Sequence, residues 1–323
     1  MSLWQPRLPP HDAGAQALTQ LPAEPRTMPN TRWGAESLWQ QLVPLLPGLS
    51  IEVVARADST NTQLRERSRL QSRRRASEPA FGRRVDDTSP SLLIAEHQTS
   101  GRGRLGRTWR SSAGASLTFS LALPLLRRDW SGLSLAVGVA VAEALDPRPP
   151  GQAARLWLKW PNDLMLVPDD KVTDSRGRKL GGILIESVAI GEQRMAIVGI
   201  GLNVRALDLG TFSDGIASLQ ELNPGIDAPR ALSRLALRLV QALLEFEQVG
   251  FCAFAERFAA RDLLRGRLVT TTLPGVEEGI ADGVDAASGA LRVSSRGEEH
   301  LVSGGEVSVR LVGDGHTMPD NSG

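Results

Sequence analysis

Cysteine is nearly missing from this chain: Cys252 is the only one in 323 residues. That excludes an intrachain disulfide and any cysteine-built zinc site, and it fits a reducing compartment. Histidine is almost as scarce. His11, His97, His300 and His316 lie far apart and show no metal-ligand spacing. Neither sign of charge dominates, with 37 Lys and Arg against 36 Asp and Glu. Bulk binding to nucleic acid or to a membrane surface normally needs a basic excess. Apolar runs of transmembrane length are absent as well. Residues 1–30 carry six prolines and lack the basic start and apolar centre of a signal peptide. Together these absences predict a soluble, cytoplasmic protein without a membrane partner.

What is present is enough apolar material, 41 % of residues, for a sizeable core. Residues 1–32 read as a disordered tail and 314–323 as a second one. Apolar spacing predicts a helix over 33–46 that Pro44 ends or distorts, then a strand over 51–55. Asp58-Ser59-Thr60-Asn61 has the residue types of a helix start. It opens a polar helix over 61–69. The Arg-rich stretch 70–90 reads as an inserted mobile loop. Strands follow over 92–96 and 115–123, a small-residue helix over 133–145, and strands over 155–160 and 164–167 around a Pro-Asn-Asp turn. Residues 168–178 form a charged loop. The runs 180–188 and 195–204 read as an antiparallel pair. An amphipathic helix over 229–248 continues into another over 251–261. Beyond Leu264 the texture changes to short strand-like runs, 268–273, 279–285, 291–295 and 307–312, with Gly and Ser at the turns. Their close spacing predicts a small β-barrel.

Three segments carry chemistry. Gly101-Arg102-Gly103-Arg104-Leu105-Gly106-Arg107-Thr108-Trp109-Arg110 interleaves three glycines with four arginines. Glycine lets backbone approach a ligand closely, and arginine offers a planar cation suited to carboxylate and phosphate oxygens. Such a run also occurs in RNA-binding tails and in plain flexible loops. Its position between two strands favours a ligand loop, and no Lys-Ser/Thr follows to make it a Walker A motif. Lys159-Trp160-Pro161-Asn162-Asp163 places an amide and a carboxylate at a strand end. These could meet a magnesium ion, a ribose or an amine, or simply form a turn. Lys179 precedes Gly181-Gly182; it reads either as a surface lysine or as a cation that offsets charge on a phosphate.

In this order, with Ser59-Thr60-Asn61, Glu96-His97-Gln98, Gly199-Ile200-Gly201-Leu202-Asn203 and Gly304-Gly305-Glu306-Val307, the motifs resemble those of the biotin protein ligases. The resemblance spans roughly residues 50–312. It implies an α+β fold: a mixed, largely antiparallel sheet with helices on one face, the class II synthetase-like catalytic domain, and a small C-terminal SH3-like β-barrel. It divides the chain into a catalytic region, 33–264, and the barrel, 265–313. It implies that biotin is activated with ATP and Mg2+ as biotinyl-5′-AMP. The acyl group then passes to a lysine of a biotin carboxyl carrier protein of acetyl-CoA carboxylase or a related carboxylase.

The resemblance also implies roles. Ser59, Thr60 and Gln98 hydrogen-bond biotin's ureido ring, with Asn61 close by in the biotin site. Arg102, Gly103, Arg104, Trp109, Gly182 and Gly201 complete the biotin pocket. Lys179 bridges the biotin carboxyl and the α-phosphate. Asp163 orients the acceptor lysine. Arg102, Arg104, Arg107, Lys159, Asn162, Asn203, Glu306 and Arg310 meet the nucleotide. No metal is bound by the protein alone, and Mg2+ arrives with ATP near Asn162 and Asp163. Some family members carry an N-terminal helix-turn-helix and repress genes. Nothing of that kind is readable here, so no DNA partner is expected, and a homodimer stays open. A lipoate or octanoate ligase or transferase of the same fold is the alternative, and a biotin-sensing repressor the alternative of another class.

Overall fold

The structure, a computed structural model, describes residues 33–77, 88–149, 152–168, 177–190, 193–206, 215–305 and 307–312, with side chains omitted over 71–77. In chain order the elements are α1 (Ala35–Leu42), β1 (Ser50–Ala57), α2 (Thr60–Ser77), β2 (Ser91–Gln98), β3 (Gly101–Arg102), β4 (Thr108–Trp109), β5 (Ser116–Pro124) and α3 (Leu133–Leu145). Then come β6 (Leu156–Lys159), β7 (Asp163–Leu166), β8 (Arg178–Ile190), β9 (Gln193–Asn203), α4 (Ala228–Val249) and α5 (Ala255–Ala259). The last five strands are β10 (Arg267–Thr271), β11 (Glu278–Val284), β12 (Leu291–Ser295), β13 (Glu298–Val302) and β14 (Val309–Leu311).

The main sheet has seven strands in the order β1-β2-β5-β9-β8-β7-β6. Only β1 and β2 run parallel; every other pair is antiparallel. Alternation along the strands sends side chains to two faces. Leu92, Ile94, Leu121 and Val198 join α1, α3 and α4 in the principal core. Leu93, Ala122, Met195 and Ile197 join Leu64 of α2 in a smaller one. The helices therefore do not share one face, as the resemblance implied: α2 lies against the other side. α4 is amphipathic because Leu232, Leu235, Leu239, Leu243 and Phe246 fall at helical spacing and are all buried. Asp227 caps its start by accepting from the Arg230 N–H at 2.8 Å.

The second sheet, β13-β12-β11-β10-β14, is antiparallel throughout and made from the C-terminal strand-like runs. It joins the main sheet through residues 261–263, which extend the edge beyond β6: Leu158 N–H donates to Arg261 O at 2.8 Å and Leu263 N–H to Leu158 O at 2.9 Å.

Three local expectations need correcting. α2 runs on to Ser77, so the first part of the expected loop is helical; its Arg, Gln and Ala residues are good helix formers. Residues 78–87 of that stretch lie outside the described ones, as do 169–176 of the second loop and both tails. The expected helix over 251–261 is a 3₁₀ turn, Phe251–Phe254, followed by the short α5. β13 has no counterpart among the expected strands. Its Glu298-Glu299-His300 start is polar because it is an edge strand with an exposed side. No helix among the described residues is long and apolar enough to cross a membrane.

Candidate active site

A cavity of about 370 Å³ opens where the ends of the main-sheet strands, the Gly/Arg segment and the second sheet meet. It is lined by Ser59, Thr60, Asn61, Gln98, Arg102, Gly103, Arg104, Arg107, Trp109, Lys159, Asn162, Asp163, Lys179, Gly182, Gly201 and Arg310, among others. Two residues named from the sequence stand apart. Asn203 does not line the cavity; its amide donates to Lys179 O at 3.3 Å and so supports the strand beside it. Glu306 lies outside the described residues.

The polar end of the cavity is a chain of small side chains at the start of α2. Thr60 N–H donates to Gln98 Oε1 at 2.8 Å, and Thr60 Oγ1 lies 3.2 Å from the same oxygen. Ser120 Oγ, buried on β5, is 2.6 Å from Thr60 Oγ1 and 2.6 Å from Asn61 Oδ1. Asn61 Nδ2 donates to Leu184 O at 3.2 Å and to Glu186 Oε2 at 3.0 Å. Both of those are acceptors only, so the amide has one orientation and its oxygen faces Ser120. Ser120 must spend its single proton on that oxygen. The Thr60 hydroxyl has two acceptors in reach, Gln98 Oε1 at 3.2 Å and Ser120 Oγ at 2.6 Å, and the shorter contact favours donation to Ser120. Thr60 Oγ1 is left with lone pairs at the cavity wall. Gln98, whose oxygen is taken by the Thr60 N–H, keeps an amide nitrogen with no acceptor among the described residues. The wall thus offers an acceptor beside a donor.

Glycine makes this end possible. A Cβ on Gly199 would sit 2.1 Å from Asn61 Oδ1, and one on Gly201 would sit 2.6 Å from the Trp109 ring. Ser120 and Glu186, which the sequence reading left without a role, are the partners that order the site. Their sequence signal is weak, because both sit in ordinary alternating strands.

The other end is cationic. Arg104, Arg107 and Lys179 gather near Asp163, the one carboxylate among the described residues of the lining, and Arg102, Lys159 and Arg310 line the same cavity. Lys179 Nζ is 2.7 Å from Asp163 Oδ1. Its direction comes from a register slip: Leu164 pairs with Gly181 but Met165 pairs with Lys179, so Leu180 is an extra residue. Such a bulge re-aims the side chains around it. Leu180 and Gly181 are buried in succession, and Lys179 and Gly182 flank them on the cavity side.

The Gly/Arg segment is a small hairpin, β3 against β4, with Leu105 at its tip in a left-handed conformation, φ 55°. Each arginine leaves it in a different direction. Arg102 Nη1 reaches Glu186 Oε1 at 3.3 Å. Arg104 Nη1 donates to Asn162 Oδ1 at 3.2 Å, and its Nη2 donates to Gly305 O at 2.6 Å and also to Gly304 O. Arg107 Nη2 donates to Ser308 Oγ at 3.3 Å. Burial pushes the Arg104 pKa below the usual arginine value; Asp163 opposes this and Arg107 adds to it.

The profile of the biotin/lipoate A/B protein ligase family matches residues 55–203. The biotin–[acetyl-CoA-carboxylase] ligase of Mycobacterium tuberculosis is 33 % identical over 294 residues, covering 88 % of this chain and 95 % of that protein. The bifunctional ligase/repressor BirA of Escherichia coli is also 33 % identical, over 84 % of this chain and 77 % of the relative. The solved biotin protein ligase from Aquifex aeolicus, in complex with biotin and ATP, superposes with a TM-score of 0.62 at 26 % identity, covering 81 % of this chain and 99 % of that one. With its sheet order, its Gly/Arg hairpin and relatives matched over nearly their whole length, the chain belongs to the biotin protein ligases of the biotin/lipoate A/B protein ligase family.

Proposed function

We propose that the chain is an ATP-dependent biotin–[biotin carboxyl-carrier protein] ligase. Biotin's carboxylate attacks the α-phosphate of ATP, pyrophosphate leaves, and biotinyl-5′-AMP remains. A lysine amine of the carrier protein, that of acetyl-CoA carboxylase or a related carboxylase, then attacks the acyl carbon. An amide forms and AMP departs. The observation that carries this reading is the two-ended cavity, with an acceptor–donor pair at one end and Arg104, Arg107 and Lys179 around Asp163 at the other.

Each end has a chemical consequence. A cyclic urea presents an N–H and a C=O side by side, which complements Thr60 Oγ1 and the Gln98 amide nitrogen. The dithiolane of lipoate and the alkyl end of octanoate have neither group. They would leave both wall groups unpaired, at about 1–3 kcal/mol each. At the cationic end, a carboxylate and a triphosphate repel each other. Arg104 and Lys179 lower that repulsion and hold the reacting atoms together. Asp163 keeps the Lys179 ammonium in place until a phosphate oxygen takes it. The carboxylate is then released to orient the incoming amine and accept its proton.

The anhydride is open to water, so its lifetime depends on closure. The Gly/Arg hairpin, stapled on both sides, supplies that closure. Mg2+ is proposed to accompany the phosphates of ATP. Its place is near Asn162 and Asp163; Asp163 is paired with Lys179, and no group of three metal-ligating side chains occurs among the described residues. The same reading takes 33–264 as the catalytic region, 265–313 as the unit that closes on it, and the cytoplasm as the place of action.

The test is exchange of labelled pyrophosphate into ATP, with biotin, lipoate and octanoate in parallel. Exchange with biotin alone is expected. Exchange with lipoate or octanoate instead overturns the assignment of the polar end.

A further inference from the structure

We infer that Glu186 is a positioning residue that ties the two ends of the cavity together, fixing the direction of the hydrogen bonds at the polar end and seating the Gly/Arg hairpin through Arg102. The inference rests on the biotin reading above.

Glu186 lies on β8, outside the cavity wall, with its side chain 16 % exposed. Its two oxygens hold three groups. Oε2 accepts from Asn61 Nδ2 at 3.0 Å. Oε1 accepts from Arg65 Nη1 at 2.8 Å and from Arg102 Nη1 at 3.3 Å. Asn61 and Arg65 come from the first turns of α2, and Arg102 from the hairpin. One carboxylate therefore joins the helix that begins the polar end to the loop that closes the cationic end.

The carboxylate has no proton to give. With Leu184 O, it turns the Asn61 NH₂ toward itself, and from that orientation the Ser120 proton goes to Asn61 Oδ1. A glutamine there would leave Leu184 O as the one remaining acceptor that holds the Asn61 amide, and could present an N–H to Asn61 that favours the reversed amide. Thr60 would then be free to point its proton into the cavity, against the N–H of the ureido ring. Arg102 would also lose its charge partner. Arg102 is partly exposed, so the pair alone is worth little. Its effect lies in the hairpin's direction, because Arg104 and Arg107 hold the other side of the same loop.

The experiment compares the full-length chain with Glu186→Gln, Glu186→Asp, Arg65→Gln and Arg102→Gln. It reads the biotin and ATP KM of pyrophosphate exchange and the rate at which preformed biotinyl-5′-AMP escapes. For Glu186→Gln the biotin KM is expected to rise about tenfold, the scale of one charge-assisted hydrogen bond. ATP KM should stay near the parent value, and the adenylate should escape faster. Glu186→Asp, which keeps the charge, should recover part of both effects. Arg65→Gln removes only the ion pair to α2 and is expected to leave both readouts near the parent. Arg102→Gln should speed escape without the full rise in biotin KM, and adding it to Glu186→Gln should speed escape no further.

An unchanged biotin KM and escape rate in Glu186→Gln overturn the inference. So does Arg65→Gln reproducing the whole phenotype, which would make Glu186 a helix anchor only. Additive escape rates in the double variant remove the hairpin half. Should a thermal melt show Glu186→Gln unfolded, Glu186→Asp carries the test, because withdrawing the charge by one methylene must weaken the same two readouts. Failure of the parent chain to exchange with biotin would sink the ligase reading instead, which keeps the two outcomes separate.

Discussion

Lys179 is held at both ends. Its carbonyl accepts from Ala217 N–H at 2.9 Å and from the Asn203 amide, while its ammonium rests on Asp163. Little freedom is left to lose when substrate arrives, which is how a positioned cation does more than a mobile one. Lys179→Ala is expected to cut biotin-dependent pyrophosphate exchange by about 10²–10³-fold, the scale of one lost transition-state contact, with an unchanged circular dichroism spectrum. Near-parental exchange would remove Lys179 from the chemistry. Gly199→Ala acts on the other end. Its Cβ would fall 2.1 Å from Asn61 Oδ1, so the amide must move and break its contact with Ser120. The expected result is a raised biotin KM with ATP KM little changed. A crystal structure with Asn61 undisplaced would refute the argument.

In the proposed reaction, the Gly/Arg hairpin is the element that retains the adenylate. Its first arginine is tied to the main sheet, and Arg104 and Arg107 reach Gly304, Gly305 and Ser308. Arg104→Gly cuts the clasp at its centre. The variant is expected to release the adenylate and to biotinylate bystander lysines on an added protein such as serum albumin, which a streptavidin blot would detect. A variant that stays selective for the carrier protein would count against closure.

The presence of this element was legible because few soluble folds need glycine and arginine alternating between two strands. The strand pair β8 and β9 and the helix α4 were legible from apolar pattern, and α3 from its small residues. What local pattern could not reveal was partnership. Glu186 and Ser120 look like any strand residues until topology lays the start of α2 across β5, β9 and β8. Asn203 sits in a motif yet faces a backbone carbonyl. The length of α2 was underestimated because a polar helix without an apolar stripe gives no periodicity to read, and β13 was missed because an exposed edge strand begins with charges.

At the scale of the whole molecule, the joint between the two sheets converges on residues that flank the active-site turn. Trp160 Nε1 donates to Gly289 O at 3.0 Å, and Asp146 takes Arg261 and the N–H groups of Arg155 and Leu156. Asp262 belongs to the same joint, paired in register with Leu158. Its Oδ1 accepts from Leu264 N–H at 2.9 Å, but its Oδ2 is buried without a partner among the described residues. Burial raises its pKa to about 6, against the pull of the Leu264 N–H and Arg265.

The folded state therefore prefers Asp262 protonated, whereas an unfolded aspartate titrates near pH 3.9. Its contribution to stability is fully present below that value and is lost as pH rises through about 6. The loss is on the order of 2–3 kcal/mol at roughly 1.4 kcal/mol per pH unit of displacement. Asp146 and Glu221, whose pKa values are held down by hydrogen bonds that outweigh their burial, push stability the opposite way in acid. A bare pH profile of the parent would mix these effects, so the informative quantity is a difference. Asp262→Asn keeps the acceptor for Leu264 N–H and removes the titration. Urea unfolding of both proteins at pH 4, 5, 6 and 7 should show the variant gaining on the parent across that span, with the gap levelling above pH 7. A gap that stays constant from pH 4 to 7 would mean that the Asp262 carboxyl reaches solvent and that the joint is looser than its hydrogen bonds indicate.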